Sequence, residues 1–241
     1  MWRPEFVEFL EFFGFACPVK SPAGILQSGN LAGCMLNSYE LNKHKEHNKH
    51  QQRETMKTVN IILSGLGGQG ILFMTRVLAQ AALDKGFNVI GAETHGMAQR
   101  GGSVISHLRL GEVESSLVRN GTAHFLLSLE ENEGYRNLPF LAREGKMYVN
   151  AGPDHFPREG IKDYLDKKGI IYRSIPAGTI ALKLGAPRSS NLALLGYFSA
   201  FDEGPISYEG IKMTIEKISP KQLKDINFRV FEAGYRKGEG F

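Results

Sequence analysis

The sequence predicts an α/β fold, a doubly wound and mainly parallel sheet with helices on both faces, of the Rossmann-like type. Short apolar runs rich in Val, Ile and Leu alternate along the chain with segments whose apolar residues recur at helical spacing. A glycine-rich turn joins the first apolar run to the first helical segment, and polar residues follow the ends of several runs. Alternating strands and helices favour right-handed crossovers within one sheet.

The individual elements follow from the same periodicities. The predicted strands cover residues 59–63, 88–92, 104–110, 123–129, 146–150 and 170–175. The predicted helices cover residues 71–82, 130–143, 163–168, 177–184, 191–201 and 208–218, with Pro176 at the start of the fourth. Residues 111–118 indicate a turn with a short edge strand, and Pro220 begins a last segment with a frayed, glycine-rich end.

The glycine turn after the first strand contains a G-x-G-x-x-G string formed by Gly65, Gly67 and Gly70, with Gly68 inside it. Glycine allows a sharp strand-to-helix turn and close packing of the helix on the strand. The N–H groups at the start of the helix then favour a phosphate, a carboxylate or a partner chain. Gln69 either hydrogen-bonds a ligand or caps the helix.

The second strand ends in Glu93, where a dinucleotide-binding protein places the acid that holds the ribose. Binding of NAD or FAD is therefore one interpretation of this pattern. In the other interpretation the glycines only pack the crossover and Glu93 is an ordinary polar strand end.

A second motif spans residues 93–104 and joins His95, Arg100 and the glycine pair Gly101 and Gly102. Arg100 offers a planar donor fork to a carboxylate, a phosphate of coenzyme A or a partner subunit, or forms an ion pair with the acid that opens the motif. His95 either transfers protons or fixes the loop by a hydrogen bond. His95 and Arg100 are the two catalytic candidates, and neither is assigned a catalytic step.

Three segments together resemble one family: GLGGQG at residues 65–70, ETHGMAQRGGSVISHLR at residues 93–109 and NLALLG at residues 191–196. This is the gamma-type subunit of 2-oxoacid:ferredoxin oxidoreductases, and HGMAQRGG looks most like the beta subunit of indolepyruvate:ferredoxin oxidoreductase. The resemblance covers the chain from about Met56 to its end. It implies that thiamine diphosphate, Mg²⁺ and the 4Fe-4S clusters belong to a larger partner subunit, and that coenzyme A is the acyl acceptor.

Five further residues are weaker candidates. Asn191 resembles a helix-opening asparagine of the family, and an N-cap role explains it. Asn150 and Asp154 lie beyond a strand end that faces the same edge of the sheet. His107 and Arg109, on the strand after the second motif, are expected to serve structure or an interface.

Composition and charge exclude several other classes. The chain has 241 residues, 42% hydrophobic and 22% charged, with a formal net charge of +4, as expected of a globular protein that meets anionic small molecules or an acidic partner. The sequence contains no basic stripe interleaved with aromatic residues, so we expect no nucleic-acid binding. No long apolar segment or export signal is evident, so we expect a cytoplasmic protein without a membrane partner.

The first 55 residues differ from the rest. An aromatic and acidic start is followed by a turn-rich stretch and by the polar run LNKHKEHNKHQQR at residues 41–53. We expect a disordered extension, or an upstream over-read with Met56 as the natural start, followed by one domain over residues 56–241. The two cysteines, Cys17 and Cys34, are too few for a 4Fe-4S cluster, and their spacing to the histidines matches no zinc site.

The sequence therefore predicts the smaller subunit of a thiamine-dependent 2-oxoacid oxidoreductase, inactive alone, whose complex converts an arylpyruvate such as indolepyruvate to acyl-coenzyme A and reduces ferredoxin. The alternatives are a stand-alone NAD(P)-binding oxidoreductase and a non-catalytic scaffold of the same complex.

Overall fold

A computed structural model describes residues 58–95, 101–152, 154 and 156–240. Its six strands form one sheet in the order β2-β3-β1-β4-β5-β6. They are β1 (Val59–Leu66), β2 (Val89–His95), β3 (Ser103–Leu110), β4 (Ala123–Ser128), β5 (Leu141–Asn150) and β6 (Ile171–Ile175). The helices are α1 (Ile71–Asp84), α2 (Glu131–Arg136), α3 (Glu159–Lys167), α4 (Ala177–Lys183), α5 (Ser190–Ser199), α6 (Tyr208–Ile218) and α7 (Lys224–Glu239). The predicted extension at residues 1–55 lies outside the described residues.

The sheet is mainly parallel, as predicted, but one strand runs the other way. β1, β4, β5 and β6 pair in parallel, whereas β3 is antiparallel to both β1 and β2. β3 lies between these two strands. The connection through α1 therefore leads from β1 to β2 at the sheet edge, and the chain returns as β3 to fill the place beside β1. The alternation of apolar and polar residues in β3 is typical of antiparallel strands.

Helices cover both faces of the sheet, as predicted. Ile61, Leu63 and Leu127 belong to the larger core, against α1, α4, α5, α6 and α7. Ile62 and Leu126 belong to the smaller core on the opposite face, where α3 and the 3₁₀ turn Leu138–Phe140 contribute buried residues. Successive strand residues point to opposite faces, so β1 and β4 supply both cores and their sequences read as unbroken apolar runs.

Three predicted elements were wrong. The helix expected over residues 130–143 is the six-residue helix α2, followed by the 3₁₀ turn containing Pro139 and by β5, which already begins at Leu141. Proline lacks the N–H that a continuing α-helix would need. Residues 111–118 contain no strand. Their backbone is held instead by side chains, because Val118 donates its N–H to His107 and Ser115 accepts from Arg109.

The last segment is not a frayed end but α7, a helix of 16 residues. Its Gly234 lies against α5, because a Cβ atom there would be 2.0 Å from the carbonyl oxygen of Ala193. Likewise, a Cβ atom on Gly196 of α5 would be 2.0 Å from the carbonyl oxygen of Phe231. The glycines therefore allow the two helix backbones to touch, and this contact buries Phe231 and Val230 in the larger core.

Candidate functional site

The candidate site lies where the carboxyl ends of β1 and β2 meet the start of β3. Leu66 pairs with Ser103, and His95 pairs with Val104, so both motifs reach the same edge of the sheet. We call this edge the rim. Open α/β sheets place their binding sites at such strand ends.

The first glycine turn, residues 65–70, is closed by its own side chain. The Oε1 atom of Gln69 accepts a 2.7 Å hydrogen bond from the N–H of Leu66. Gly68 and Gly70 have φ of 98° and 84°, a left-handed conformation that favours glycine. A Cβ on Gly65 would be 2.8 Å from Gln69 Oε1, so this glycine makes room for the closure. The Gln69 amide oxygen thus holds the turn.

The helix that follows begins without a side-chain cap. Gly70 is the N-cap residue of α1, no side chain accepts from the first turn, and that turn contains no acid. The first N–H groups of an α-helix have no partner inside the helix. The electrostatics at this end of α1 are therefore those that favour an anion or a carbonyl group of another molecule.

The two motifs are joined by a reciprocal pair of backbone hydrogen bonds. The N–H of Gly67 donates to the carbonyl oxygen of Gly102 at 2.8 Å, and the N–H of Gly101 donates to the carbonyl oxygen of Gly67 at 3.2 Å. The glycines of the second motif, Gly101 and Gly102, therefore lie directly on the first turn. The N–H of Gly67 is used in this contact, whereas the first N–H groups of α1 have no partner within the helix.

A buried acid of α2 also reaches this point. Ser103 donates a 2.6 Å hydrogen bond to Glu133 Oε2, and Arg136 forms a 2.9 Å ion pair with Glu133 Oε1. Glu133 is 3% exposed. The sequence analysis missed this residue because it lies in the ordinary acidic run of residues 130–133, and nothing local distinguishes a buried carboxylate there from exposed ones.

Asn191 has a different role from the predicted one. It is not the N-cap, since α5 begins at Ser190 with Ser189 before it. Its Nδ2 atom donates to the carbonyl oxygen of Gly70 at 3.2 Å, and its Oδ1 accepts from the N–H of Leu192. The 5% exposed side chain therefore ties α5 to the first glycine turn.

Asn150, at the end of β5, joins two neighbouring segments of the rim. Its Nδ2 donates to the carbonyl oxygen of Leu129 at 3.2 Å, and its Oδ1 accepts from the N–H of Gly178 at 3.1 Å. Asp154 is exposed. The side chain of His95 and the whole of Arg100 lie outside the described residues.

The remaining candidates are separated from the first turn. Glu93 is exposed on β2, and β3 lies between that strand and β1. His107 is 4% exposed and accepts the N–H of Val118 on Nδ1, and burial lowers its pKa. Arg109 binds Asn60 Oδ1 through Nε at 2.9 Å. His107 and Arg109 therefore hold the loop after β3 and the start of β1.

A second polar cluster, which the sequence analysis missed, lies at the opposite ends of the strands. A cleft of about 370 Å³ there is lined by Val59, His124, Phe125, residues 142–146 and residues 203–205. Arg173 binds both carboxylate oxygens of Glu203 at 2.7 and 3.1 Å, and the hydroxyl of Tyr148 donates to the same carboxylate. These residues are far apart in sequence, so no spacing indicates them.

The carboxylate of this cluster is compensated by two cations of the same chain, Arg173 and Lys146. Burial alone would raise the pKa of Glu203, but hydrogen bonds from Arg173 and Tyr148 and the charges of Arg173 and Lys146 lower it on balance. Burial, followed by the hydrogen bond to Glu203, raises the pKa of the Tyr148 hydroxyl well above its usual range. The cluster therefore joins β5 and β6 to the segment between α5 and α6.

Within the described ranges, no three His, Cys, Asp or Glu side chains converge as a metal site would require. No helix of those ranges combines the length and the apolar character needed to cross a bilayer.

Comparison with known proteins gives the family. Residues 60–237 match the family described as pyruvate ferredoxin/flavodoxin oxidoreductase. The chain is 34% identical over 187 residues to indolepyruvate oxidoreductase subunit IorB of Methanothermobacter thermautotrophicus, covering 73% of this chain and 95% of the relative. It is 36% identical over 196 residues to the IorB subunit of Thermococcus kodakarensis, covering 75% and 96%.

A solved structure agrees on the fold. The gamma subunit of the keto/oxoacid ferredoxin oxidoreductase from Geobacter sulfurreducens aligns with a TM-score of 0.59 at 21% identity, over 76% of this chain and 99% of that one. The family match and the two relatives confirm the resemblance inferred from the three sequence segments. The chain belongs to the pyruvate ferredoxin/flavodoxin oxidoreductase family, as a small subunit of the 2-oxoacid:ferredoxin oxidoreductases.

Proposed function

We propose that this chain is the smaller subunit of an enzyme that oxidises an arylpyruvate, with indolepyruvate as the representative substrate. The reaction removes CO₂ from the 2-oxoacid, oxidises its carbonyl carbon to the level of a thioester with coenzyme A, and passes the electrons to ferredoxin. The proposal is supported by relatives named as indolepyruvate oxidoreductase subunits, which match over almost their whole length.

The rim is the part of this chain that we propose to face the reaction. The supporting observation is the reciprocal pair of hydrogen bonds between Gly67 and the glycines 101 and 102, which unites both motifs in one structure. In this proposal the contacting residues are Gly65, Gly67, Gly68, Gln69, Gly70, Arg100, Gly101 and Gly102. They complete a pocket or an interface whose other half comes from a second polypeptide.

We propose that the cofactors of the complex reside on that larger partner. When bound to the partner, thiamine diphosphate with Mg²⁺ would supply the electron sink that decarboxylation needs, and 4Fe-4S clusters would supply electron transfer. The described residues of this chain do not fit either group, because they contain no converging set of acids or thiolates. This chain contributes shape, hydrogen bonds and the electropositive start of α1, which suits the phosphates or the carboxylate of a substrate.

The partners follow from this assignment. They are the larger thiamine- and cluster-binding subunit, ferredoxin through the assembled complex, and the small 2-oxoacid. We place the complex in the cytoplasm, since its electron acceptor and coenzyme A are found there. Contact between this chain and coenzyme A is part of the proposal.

The test is reconstitution with the larger subunit. We expect the assembled pair to reduce ferredoxin, or a viologen dye, only when indolepyruvate and coenzyme A are both present, and the lone chain to be inactive. Pyruvate, 2-oxoglutarate and phenylpyruvate supplied in the same assay establish the substrate class. Turnover by the lone chain would contradict the proposal.

The variant Arg100→Ala distinguishes the proposed role in the reaction from the alternative of a non-catalytic scaffold. If Arg100 faces the pocket, the variant assembles with the larger subunit but loses most activity. If the motifs serve only as an interface, the variant fails to assemble.

A stand-alone NAD-dependent enzyme is disfavoured by the topology. In a dinucleotide-binding fold the ribose-binding acid ends the strand beside β1, but here β3 occupies that position and Glu93 is one strand further away. Titration of the chain with NADH is therefore expected to show no micromolar binding.

A further inference from the structure

The start of β3 is held from two sides at the rim. On one side the backbone of Gly67 binds Gly101 and Gly102 through two hydrogen bonds. On the other side the hydroxyl of Ser103 donates to Glu133 Oε2 at 2.6 Å. We call these contacts the clamp, and they fix the start of β3 between the first glycine turn and α2.

The acid of this clamp is unusual because it is buried. Glu133 is 3% exposed, and carboxylates are rarely removed from water to this extent. It retains one hydroxyl donor, Ser103, and one guanidinium, Arg136, whose side chain is 65% exposed. Departures of this kind from local rules concentrate at functional sites.

The clamp also joins separate parts of the chain. Ser103 opens β3 and Glu133 lies on α2, which follows β4, so the hydrogen bond crosses 30 positions of sequence. α2 itself packs closely on the sheet, because a Cβ on its Gly134 would be 2.7 Å from Met147 Cε and 3.3 Å from Ser128 Cβ. The carboxylate therefore extends from a closely packed helix to the motif.

From this geometry we propose that Glu133 is a positioning residue for the oxidoreductase reaction. It acts through Ser103, and it holds Gly101 and Gly102 in register with the first glycine turn. This inference rests on the proposed function of the rim. It adds α2 to the site, although neither of the two glycine motifs includes this helix.

The test uses the reconstituted complex with indolepyruvate and coenzyme A as the varied substrates. Ser103→Ala removes the hydroxyl, Glu133→Ala removes the acceptor, and Glu133→Gln keeps an oxygen that can accept the hydroxyl. Ser106→Ala is the matched control. Ser106 lies on the same strand, and its hydroxyl accepts a 2.9 Å hydrogen bond from Thr75, a residue of α1. Arg100→Lys provides the reference kinetic pattern for a change in the second motif.

We expect Ser103→Ala and Glu133→Ala each to lower kcat/KM by about tenfold, because small displacements of positioned groups cost this much or more. The loss should fall on the same parameter, kcat or one KM, that Arg100→Lys changes. The double variant should be no worse than either single variant, since both break one interaction. Glu133→Gln should recover most of the loss, and Ser106→Ala should leave both kinetic parameters unchanged.

A purely structural role gives a different pattern. It would reduce the amount of assembled complex and the melting temperature while every KM stays at the wild-type value, and this result would overturn the inference. Wild-type kinetics in Ser103→Ala and Glu133→Ala would overturn it as well, as would an equal loss in Ser106→Ala. If Glu133→Ala does not assemble, Ser103→Ala and Glu133→Gln decide the matter. An inactive wild-type complex contradicts the proposed function instead.

Discussion

Alanine at Gly70 should destabilise the chain more than alanine at Gly68, although both glycines lie in the same turn. Both have a left-handed backbone, with φ of 84° at Gly70 and 98° at Gly68. Their surroundings differ. A Cβ on Gly70 would be 2.5 Å from Asn191 Nδ2, whereas a Cβ on Gly68 would meet nothing within 4 Å.

The magnitudes follow from these two contributions. The left-handed conformation costs an alanine about 1–2 kcal/mol at either position. At Gly70 the new methyl group must also displace the buried amide of Asn191 from the carbonyl oxygen of Gly70, which lies 3.2 Å away. Loss of a buried hydrogen bond costs about 1–3 kcal/mol more. We therefore expect about 2–5 kcal/mol for Gly70→Ala and about 1–2 kcal/mol for Gly68→Ala.

Equilibrium unfolding of the purified full chain in urea measures both values. The contact with Asn191 is isolated by a double-mutant cycle, because Asn191→Ala removes the side chain that the methyl group displaces. In that background the cost of Gly70→Ala should fall toward the cost of Gly68→Ala. The explanation is refuted if the two alanine variants are equally stable, or if Asn191→Ala leaves the cost of Gly70→Ala unchanged.

Three further predictions concern packing and pH. Gly234→Ala should lower the free energy of unfolding in urea by about 3 kcal/mol or more, because its methyl group would meet a backbone carbonyl at 2.0 Å. Gly160→Ala on α3 is the control: the space around this glycine is open, so the variant should stabilise the chain by about 0.5–1 kcal/mol. Burial lowers the pKa of His107 below 6.5, so as the pH falls the imidazole is protonated in the unfolded chain before it is protonated in the folded chain. The free energy of unfolding should therefore fall as the pH drops through about 6.5. The fall should be smaller in His107→Gln. Because the pKa of Glu203 in the folded chain is below 4.5, its stabilisation is present above that pH, and the stability advantage of the wild type over Glu203→Gln should shrink during acid titration from neutral pH. Equal stability of the two glycine variants, or pH curves that stay parallel to those of the Gln variants, would contradict these expectations.

The sequence alone determined the features that depend on neighbouring residues. The apolar runs, the helical spacing of residues 71–82 and the glycines of the first turn indicated the α/β fold, because local patterns report which residues face a core. Three segments, at residues 65–70, 93–109 and 191–196, also indicated the family by their resemblance to it. Their residue types were sufficient, and no tertiary contact was needed to identify them.

The tertiary structure decided what depends on residues that are distant in sequence. The position of β3 between β1 and β2, the bond from Asn191 to Gly70 and the clamp between Ser103 and Glu133 all join such residues. Strand order and side-chain partners are set by how the whole sheet and its helices pack, and a linear pattern does not specify this packing. The sequence therefore identified the two motifs, and the folded chain determined that they lie together at one edge of the sheet.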